Sequence, residues 1–254
     1  MNTDAQIVIR PVGDGALIVE INETADSGRD ISDKVLHVAR VLERAAIEGV
    51  TEVTTAFTTV AVFYDPARVV AGQEPVFEAL ESRVRAALAD GTTTLSEESA
   101  SDVRVIEIPL CYDEEFALDL ADVAAHANLA PAEVTAVHCS AEYRVVTVGF
   151  TPGFPYLSGL PSQLATPRRA TPRAAVAAGS VAIGGSHAGI YPLTSPGGWN
   201  VIGRTPMKLF DVTNDPPALL RAGDRVRFRR ITAAEFRAAV ADSLPLAAQA
   251  TANK

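Results

Sequence analysis

The apolar positions change period along the chain, and those changes mark its elements. Ile7-Val8-Ile9, the turn Gly13-Asp14-Gly15 and the run Ala16-Leu17-Ile18-Val19-Glu20-Ile21 read as a β-hairpin. Between Ile31 and Ile47 the apolar residues Val35, Val38, Leu42 and Ala46 fall at helical spacing, and Gly49 stands where a helix stop belongs. Thr58 to Tyr64 is a β-branched strand closed by Asp65-Pro66. A second helix is predicted from Pro75 to Ala89, with Val76, Leu80, Val84 and Leu88 on one face. The order ββαβ(β)α predicts a small α+β sandwich over residues 1–90, its helices on one side of an antiparallel sheet. Residues 91–102 are small, polar and unpatterned, and read as a linker.

From Val103 the pattern changes. A strand is predicted from Val103 to Leu110, then a helical pair over Asp119–Ser140, then short strands at Tyr143–Gly149, Ala177–Ile183, Asn200–Gly203, Met207–Phe210 and Arg225–Phe228. Short strands punctuated by turns predict an all-β barrel or sandwich over 103–240, with 241–254 an Ala-rich tail that frays. The helical pair has the look of a helix-turn-helix. Residues 113–142 hold seven acids and no Lys or Arg, however, so phosphate contacts are missing and the pair reads as structural, not as a DNA reader.

Composition changes this picture mainly through charge. The net charge is -9, yet residues 141–254 carry 13 Lys and Arg against 6 Asp and Glu, while residues 1–140 carry the remaining 9 and 25. That split supports two modules of different character. No apolar run approaches the ~20 residues of a membrane span, and the N-terminus lacks a signal-peptide pattern, so a cytoplasmic location is expected. Two cysteines without a CxxC, and four scattered histidines, leave no metal site or disulfide framework.

The sign reversal is sharpest between Tyr143 and Phe210. This window holds no Asp or Glu, but it holds Arg144, Arg168, Arg169, Arg173, Arg204 and Lys208, together with Trp199, the single tryptophan. It also takes 10 of the 17 glycines and 8 of the 16 prolines. Glycine permits close backbone approach, proline fixes loops, and arginine presents a planar fork suited to carboxylate or phosphate. Thr166-Pro167-Arg168 and Thr171-Pro172-Arg173 repeat one stiffened arginine, and Arg204-Thr205-Pro206 adds another. Between them, Gly197-Gly198 offers backbone N–H groups and Trp199 a flat wall, so the set could bind a small anion with a planar ring. The other reading is that Trp199 plugs a barrel core and the arginines face solvent.

Familiar catalytic loops are absent. No GxxxxGK[ST] or strand-linked GxGxxG occurs, and Gly184-Gly185-Ser186-His187-Ala188-Gly189 narrowly misses GxSxG. As neighbours in sequence, Ser186 and His187 are expected to project apart, not to pair as nucleophile and base.

The motifs Gly149-Phe150-Thr151-Pro152-Gly153-Phe154-Pro155-Tyr156-Leu157, Ala165-Thr166-Pro167-Arg168 with Thr171-Pro172-Arg173, Gly189-Ile190-Tyr191-Pro192 and Ser195-Pro196-Gly197-Gly198-Trp199-Asn200 through Pro206 stand in one order. With Leu219 to Val226, Gly13-Asp14-Gly15-Ala16-Leu17 and Tyr64-Asp65-Pro66, they resemble the 5-oxoprolinase B-subunit family (PxpB/KipI, also called allophanate hydrolase subunit 1). The resemblance implies a cyclophilin-like β-barrel for the second module. It also implies a complex with a sister C subunit (KipA/PxpC-like) and an A subunit (LamB/YcsF-like). Such a complex opens the 5-oxoproline lactam to L-glutamate with hydrolysis of ATP, its Mg2+ and nucleotide shared with the partners. Relatives acting as histidine-kinase inhibitors, or as allophanate hydrolase and urea carboxylase subunits, are the alternatives it carries. On this reading Arg204 and His187 are the candidate catalytic residues. Arg168, Arg173, Gly197, Gly198, Trp199, Asn200, Pro152, Gly153 and Phe154 are the candidate substrate- or anion-binding residues. Ser186-His187 departs from the Gly-Gln more usual at that place.

Overall fold

The computed structural model describes residues 7–22, 31–91 and 104–243, and the chain divides into two compact units, residues 1–103 and 104–254. In the first unit, β1 (Ile7–Val12), β2 (Ala16–Ile21), α1 (Ile31–Ala45), β3 (Val50–Thr55), β4 (Thr59–Tyr64) and α2 (Val76–Gly91) follow one another. The sheet runs β1-β2-β4-β3 and is antiparallel throughout. Because successive strand residues face opposite ways, one face presents Ile9, Leu17, Val19, Ile21, Val60, Val62 and Tyr64. Against it pack Val35, Val38, Ala39 and Leu42 of α1 and Leu80, Val84 and Leu88 of α2. The α+β arrangement expected from the spacing is present. Helix α1 stops at Ala45, four residues before Gly49, whose φ of +90° a side chain would strain.

The second unit contains β5 (Val105–Cys111), α3 (Leu120–Ala127), α4 (Pro131–Ser140), β6 (Glu142–Val148), β7 (Pro155–Ser158), β8 (Arg173–Val176), β9 (Ser180–Gly184), β10 (His187–Ile190), β11 (Ser195–Gly197), β12 (Asn200–Arg204), β13 (Arg225–Ile231) and α5 (Ala233–Ser243). Seven of these strands close a barrel in the order β10-β7-β6-β13-β5-β12-β9, and β8 and β11 form a separate two-stranded sheet. Closure leaves those barrel strands no open edge. The barrel interior is filled by Ile108, Leu110, Tyr143, Val145, Leu157, Val181, Ile183, Ala188, Ile190, Ile202, Val226 and Phe228. Helix α4 adds His138, fully buried against Tyr143 and Phe228.

Two expectations are corrected here. Met207–Phe210 is not a strand: Phe210 makes only an isolated bridge to Ala218, because Pro206 and Pro216-Pro217 interrupt any longer ladder. Ala233–Ser243 forms a helix that the sequence reading did not anticipate, its Phe236 packing on Cys111 and Ile231. The expected linker, apart from Gly91, and residues 244–254 of the expected tail lie outside the described residues. Among the described residues no helix is long and apolar enough to cross a membrane.

Candidate functional site

Strand alternation places a second apolar cluster outside the barrel. Val181, Ile183, Ala188, Ile190 and Ile202 point inward, so Ala182, Gly184, Gly189 and Val201 point out. On this outer face sit Phe154, Tyr191 and Trp199, with Tyr156 at their edge. Phe154 is the hub, meeting Tyr156, Tyr191 and Trp199 edge-on at centroid distances of 5.0, 5.2 and 5.7 Å. Such pairs contribute roughly 0.5–1.5 kcal/mol each beyond area burial. Trp199 is therefore not a plug of the barrel core; it is 7% exposed on a separate aromatic floor.

The glycines explain how the rings fit. A Cβ on Gly184 would lie 2.5 Å from the Trp199 indole, one on Gly189 2.7 Å from Phe154 Cζ, and one on Gly197 2.2 Å from the Tyr191 hydroxyl. These residues make room for side chains. That differs from the expectation for Gly197, which was close approach of backbone to a ligand. Gly198 carries a backbone role instead, its carbonyl accepting from Arg169 N at 2.8 Å.

The acid-free window is acid-free only in sequence. Asp119, just before α3, is 1% exposed and reaches across to the loop between Thr166 and Arg173. Its carboxylate accepts from Arg169 Nη1 at 2.6 Å, Arg173 Nη1 and Nη2 at 2.7 and 2.8 Å, and Val201 N at 2.7 Å. The paired carboxylate holds Arg173 further toward its charged form. Arg173, expected as an anion clamp, is thus engaged in an internal ion pair. Arg204 is also placed elsewhere. Its Nε donates to Ala178 O at 2.8 Å, and its guanidinium lies over the Phe236 ring of α5. Four strand residues, about 13 Å at the rise of a strand, separate it from Asn200 beside Trp199.

Arg168 is different. Its guanidinium lies 5.6 Å from the centroid of Trp199, a cation–π geometry worth about 0.5–2 kcal/mol. It is exposed, and no described carboxylate lies within ion-pairing distance of it. Its loop is pinned on both sides. Thr166 and Gly185 exchange backbone hydrogen bonds of 3.2 and 2.8 Å, and Asn200 Nδ2 donates to Pro167 O at 2.9 Å. The Thr166–Gly185 bridge brings the two-residue turn between β9 and β10 alongside, and with it Ser186 and His187. Ser186 Oγ lies 3.2 Å from His187 Nδ1. The expectation that these neighbours diverge is corrected, because a tight turn curls the serine back over the first residue of β10. Burial, and then the positive charge of Arg168, push the His187 pKa below 6.5, leaving a neutral ring at pH 7.

Gly149 to Phe154 closes the floor on one side. Gly149 N donates to Phe154 O and Phe154 N to Thr151 O, both at 3.0 Å, and Gly153 packs on Phe210 at a φ of +80°. Pro152 is exposed at the tip. Phe150 is 65% exposed at a φ of +68°, unusual for a bulky residue, and leans edge-on against Phe154. The structure therefore assembles Arg168, His187, Trp199, Asn200 and Phe154, with Gly197 and Gly198 framing them. Asp119, Arg169, Tyr156 and Tyr191 belong to the same cluster and were missed. Among the described residues no group of three or more His, Cys, Asp or Glu is arranged to hold a metal ion.

Residues 7–220 match the family model described as carboxyltransferase domain, subdomain C and D. The chain is 38% identical to the 5-oxoprolinase B subunit of Bacillus subtilis over 234 residues, covering 91% of this chain and 95% of that protein. The chain belongs to the 5-oxoprolinase B-subunit family. The family's Escherichia coli O157:H7 member is 55% identical over 52% of this chain and 61% of its own length. Among solved structures, TTHA0988 superposes with a TM-score of 0.67 at 34% identity, over 88% of this chain but only 40% of its own. Urea carboxylase of Kluyveromyces lactis shares the fold, with a TM-score of 0.73 at 21% identity over 95% of this chain and 23% of that one. Family membership thus covers both units described above.

Proposed function

We propose that this chain is the B subunit of an ATP-dependent 5-oxoprolinase, acting with a C subunit and an A subunit to open the 5-oxoproline lactam to L-glutamate as ATP is hydrolysed. The observation that carries this reading is Arg168, held over Trp199 beside a neutral His187, with no carboxylate among the described residues neutralising it. That substrate is a small five-membered lactam, flat at its amide, bearing one carboxylate. The Arg168 fork suits the carboxylate, and the indole suits the ring. We assign to His187, neutral at pH 7 and hydrogen-bonded to Ser186, the role of accepting a proton and then returning it to the lactam nitrogen as its C–N bond breaks. Arg204 has no part in this arrangement.

Mg2+ does not fit here. The carboxylates paired with this loop, Asp119 and Asp122, both lie on Arg169, at 2.6 and 4.0 Å, and the first also holds Arg173. We assign the nucleotide and its metal to the partner subunits. The aromatic floor, open toward Phe150 and Arg168, then supplies part of a site that the partners complete.

The test is ATP turnover dependent on 5-oxoproline with all three subunits co-purified. Omitting this chain should abolish it. Arg168→Met should raise KM for 5-oxoproline about tenfold to a hundredfold, the weight of one charge-assisted contact. Full turnover without this chain, or an unchanged KM, would overturn the assignment.

A further inference from the structure

We propose that Asp119 is a positioning residue, the buried charged group that, with the backbone contacts of the same loop, sets Arg168 on the face of Trp199. Asp119 stands at the N-cap of α3, where an aspartate ordinarily accepts from its own helix. Here it makes no such bond. Every hydrogen bond found for its carboxylate leaves the helix: to Arg169, to Arg173 and to the backbone of Val201. Its own backbone N–H also donates to Val201 O at 2.8 Å.

Two consequences follow from that geometry. Val201 is two residues beyond Trp199 on the same stretch of chain, and Arg169 is the residue after Arg168. One carboxylate therefore touches both the segment carrying the indole and the segment carrying the guanidinium, and it helps hold the 5.6 Å between them. Charge gives the second. Arg168, Arg169 and Arg173 place three cations in six residues, which repel one another unless a buried anion gathers them. Asp119 pairs with Arg169 and Arg173, offsetting one of their two charges, and Arg168 is left for a ligand. Without Asp119, Arg173 loses its partner, Arg169 keeps only Asp122 at 4.0 Å, Val201 N loses its acceptor, and the loop around Arg168 is loosened on that side.

Trp199 is the only tryptophan, so its emission reads this geometry directly in the intact chain. A cation over the ring draws an anionic quencher to it, so the ratio of iodide to neutral acrylamide quenching of wild-type Trp199 reads the Arg168 charge. Arg168→Met should lower the iodide-to-acrylamide ratio. Asp119→Asn should lower it by the same amount, and the double variant should show no further change. Arg169→Gln, which retains the Asp119 bonds to Arg173 and Val201, should move the ratio in the same direction and guards against misfolding of Asp119→Asn. A wild-type ratio in a folded Asp119→Asn, or an additive change in the double variant, would refute the proposal.

Its effect on substrate rests on the oxoprolinase reading. In the three-subunit complex, Asp119→Asn should raise KM for 5-oxoproline about tenfold and leave kcat unchanged. A fall in kcat at constant KM would remove Asp119 from substrate positioning. A complex with no oxoprolinase activity would sink the functional reading alone, because the quenching experiment needs neither substrate nor partner.

Discussion

His138 makes the second unit sensitive to acid in a way that can be worked out. Its ring is fully buried between Tyr143 and Phe228, with Nδ1 2.7 Å from the Tyr112 hydroxyl and Nε2 without a hydrogen-bond partner. Burial pushes its pKa down from 6.5 to about 3. Between those values the unfolded chain binds a proton that the folded chain refuses. The stability contributed by neutral His138 is thus fully present above about pH 6.5, and it is lost as pH falls toward 3. At pH 5 the loss relative to pH 7.5 is about 2 kcal/mol, the logarithm of the unfolded-state protonation ratio at roughly 1.4 kcal/mol per tenfold. The assay is urea denaturation followed by Trp199 emission, which reports this unit alone, at pH 5 and pH 7.5. His138→Phe keeps a ring against Tyr143 and Phe228 but cannot titrate. Wild type should lose about 2 kcal/mol more than the variant on going to pH 5. Parallel pH dependences in the two proteins would refute the reasoning.

The remaining predictions concern packing. Gly184→Ala places a methyl 2.5 Å from the indole and should cost about 1–3 kcal/mol, with a shifted Trp199 emission maximum, because overpacked rings must move; unchanged emission would disprove the contact. Arg204→Lys loses the Nε bond to Ala178 O and the stacking on Phe236. It should lower stability by about 1 kcal/mol in urea titrations and leave KM for 5-oxoproline unaltered; a raised KM would return Arg204 to the site.

The first unit was legible because both its periods, two and 3.6, survive in the sequence: each face is either packed or wet. The barrel was harder. Residues 173–176 and 195–197 form strands too short to show alternation, and Pro155–Ser158 begins with a proline. The candidate site was half legible. Trp199, Arg168 and His187 announce themselves by residue type and setting, but Asp119 does not. It lies about fifty residues before its partners in a stretch holding seven acids, and nothing in that stretch marks which one folds back. The same gap misled the reading of Arg173, whose repeat with Arg168 suggests equal roles. The carboxylate distinguishes them.

The barrel closes through β5 and β13, the one parallel pair among its strands, with Val105 opposite Arg225 and Ile108 opposite Phe228. Arg104 and Asp224 form an ion pair at the start of the same seam, 120 residues apart in the chain. A loop of that length must close before the contacts reward it. During synthesis β5 therefore waits, its hydrogen-bonding edge unmet, while the intervening helices and strands are made. The last strand is the lock of the cylinder, so a nascent chain halted before residue 225 holds most of the barrel's side chains and none of its closure.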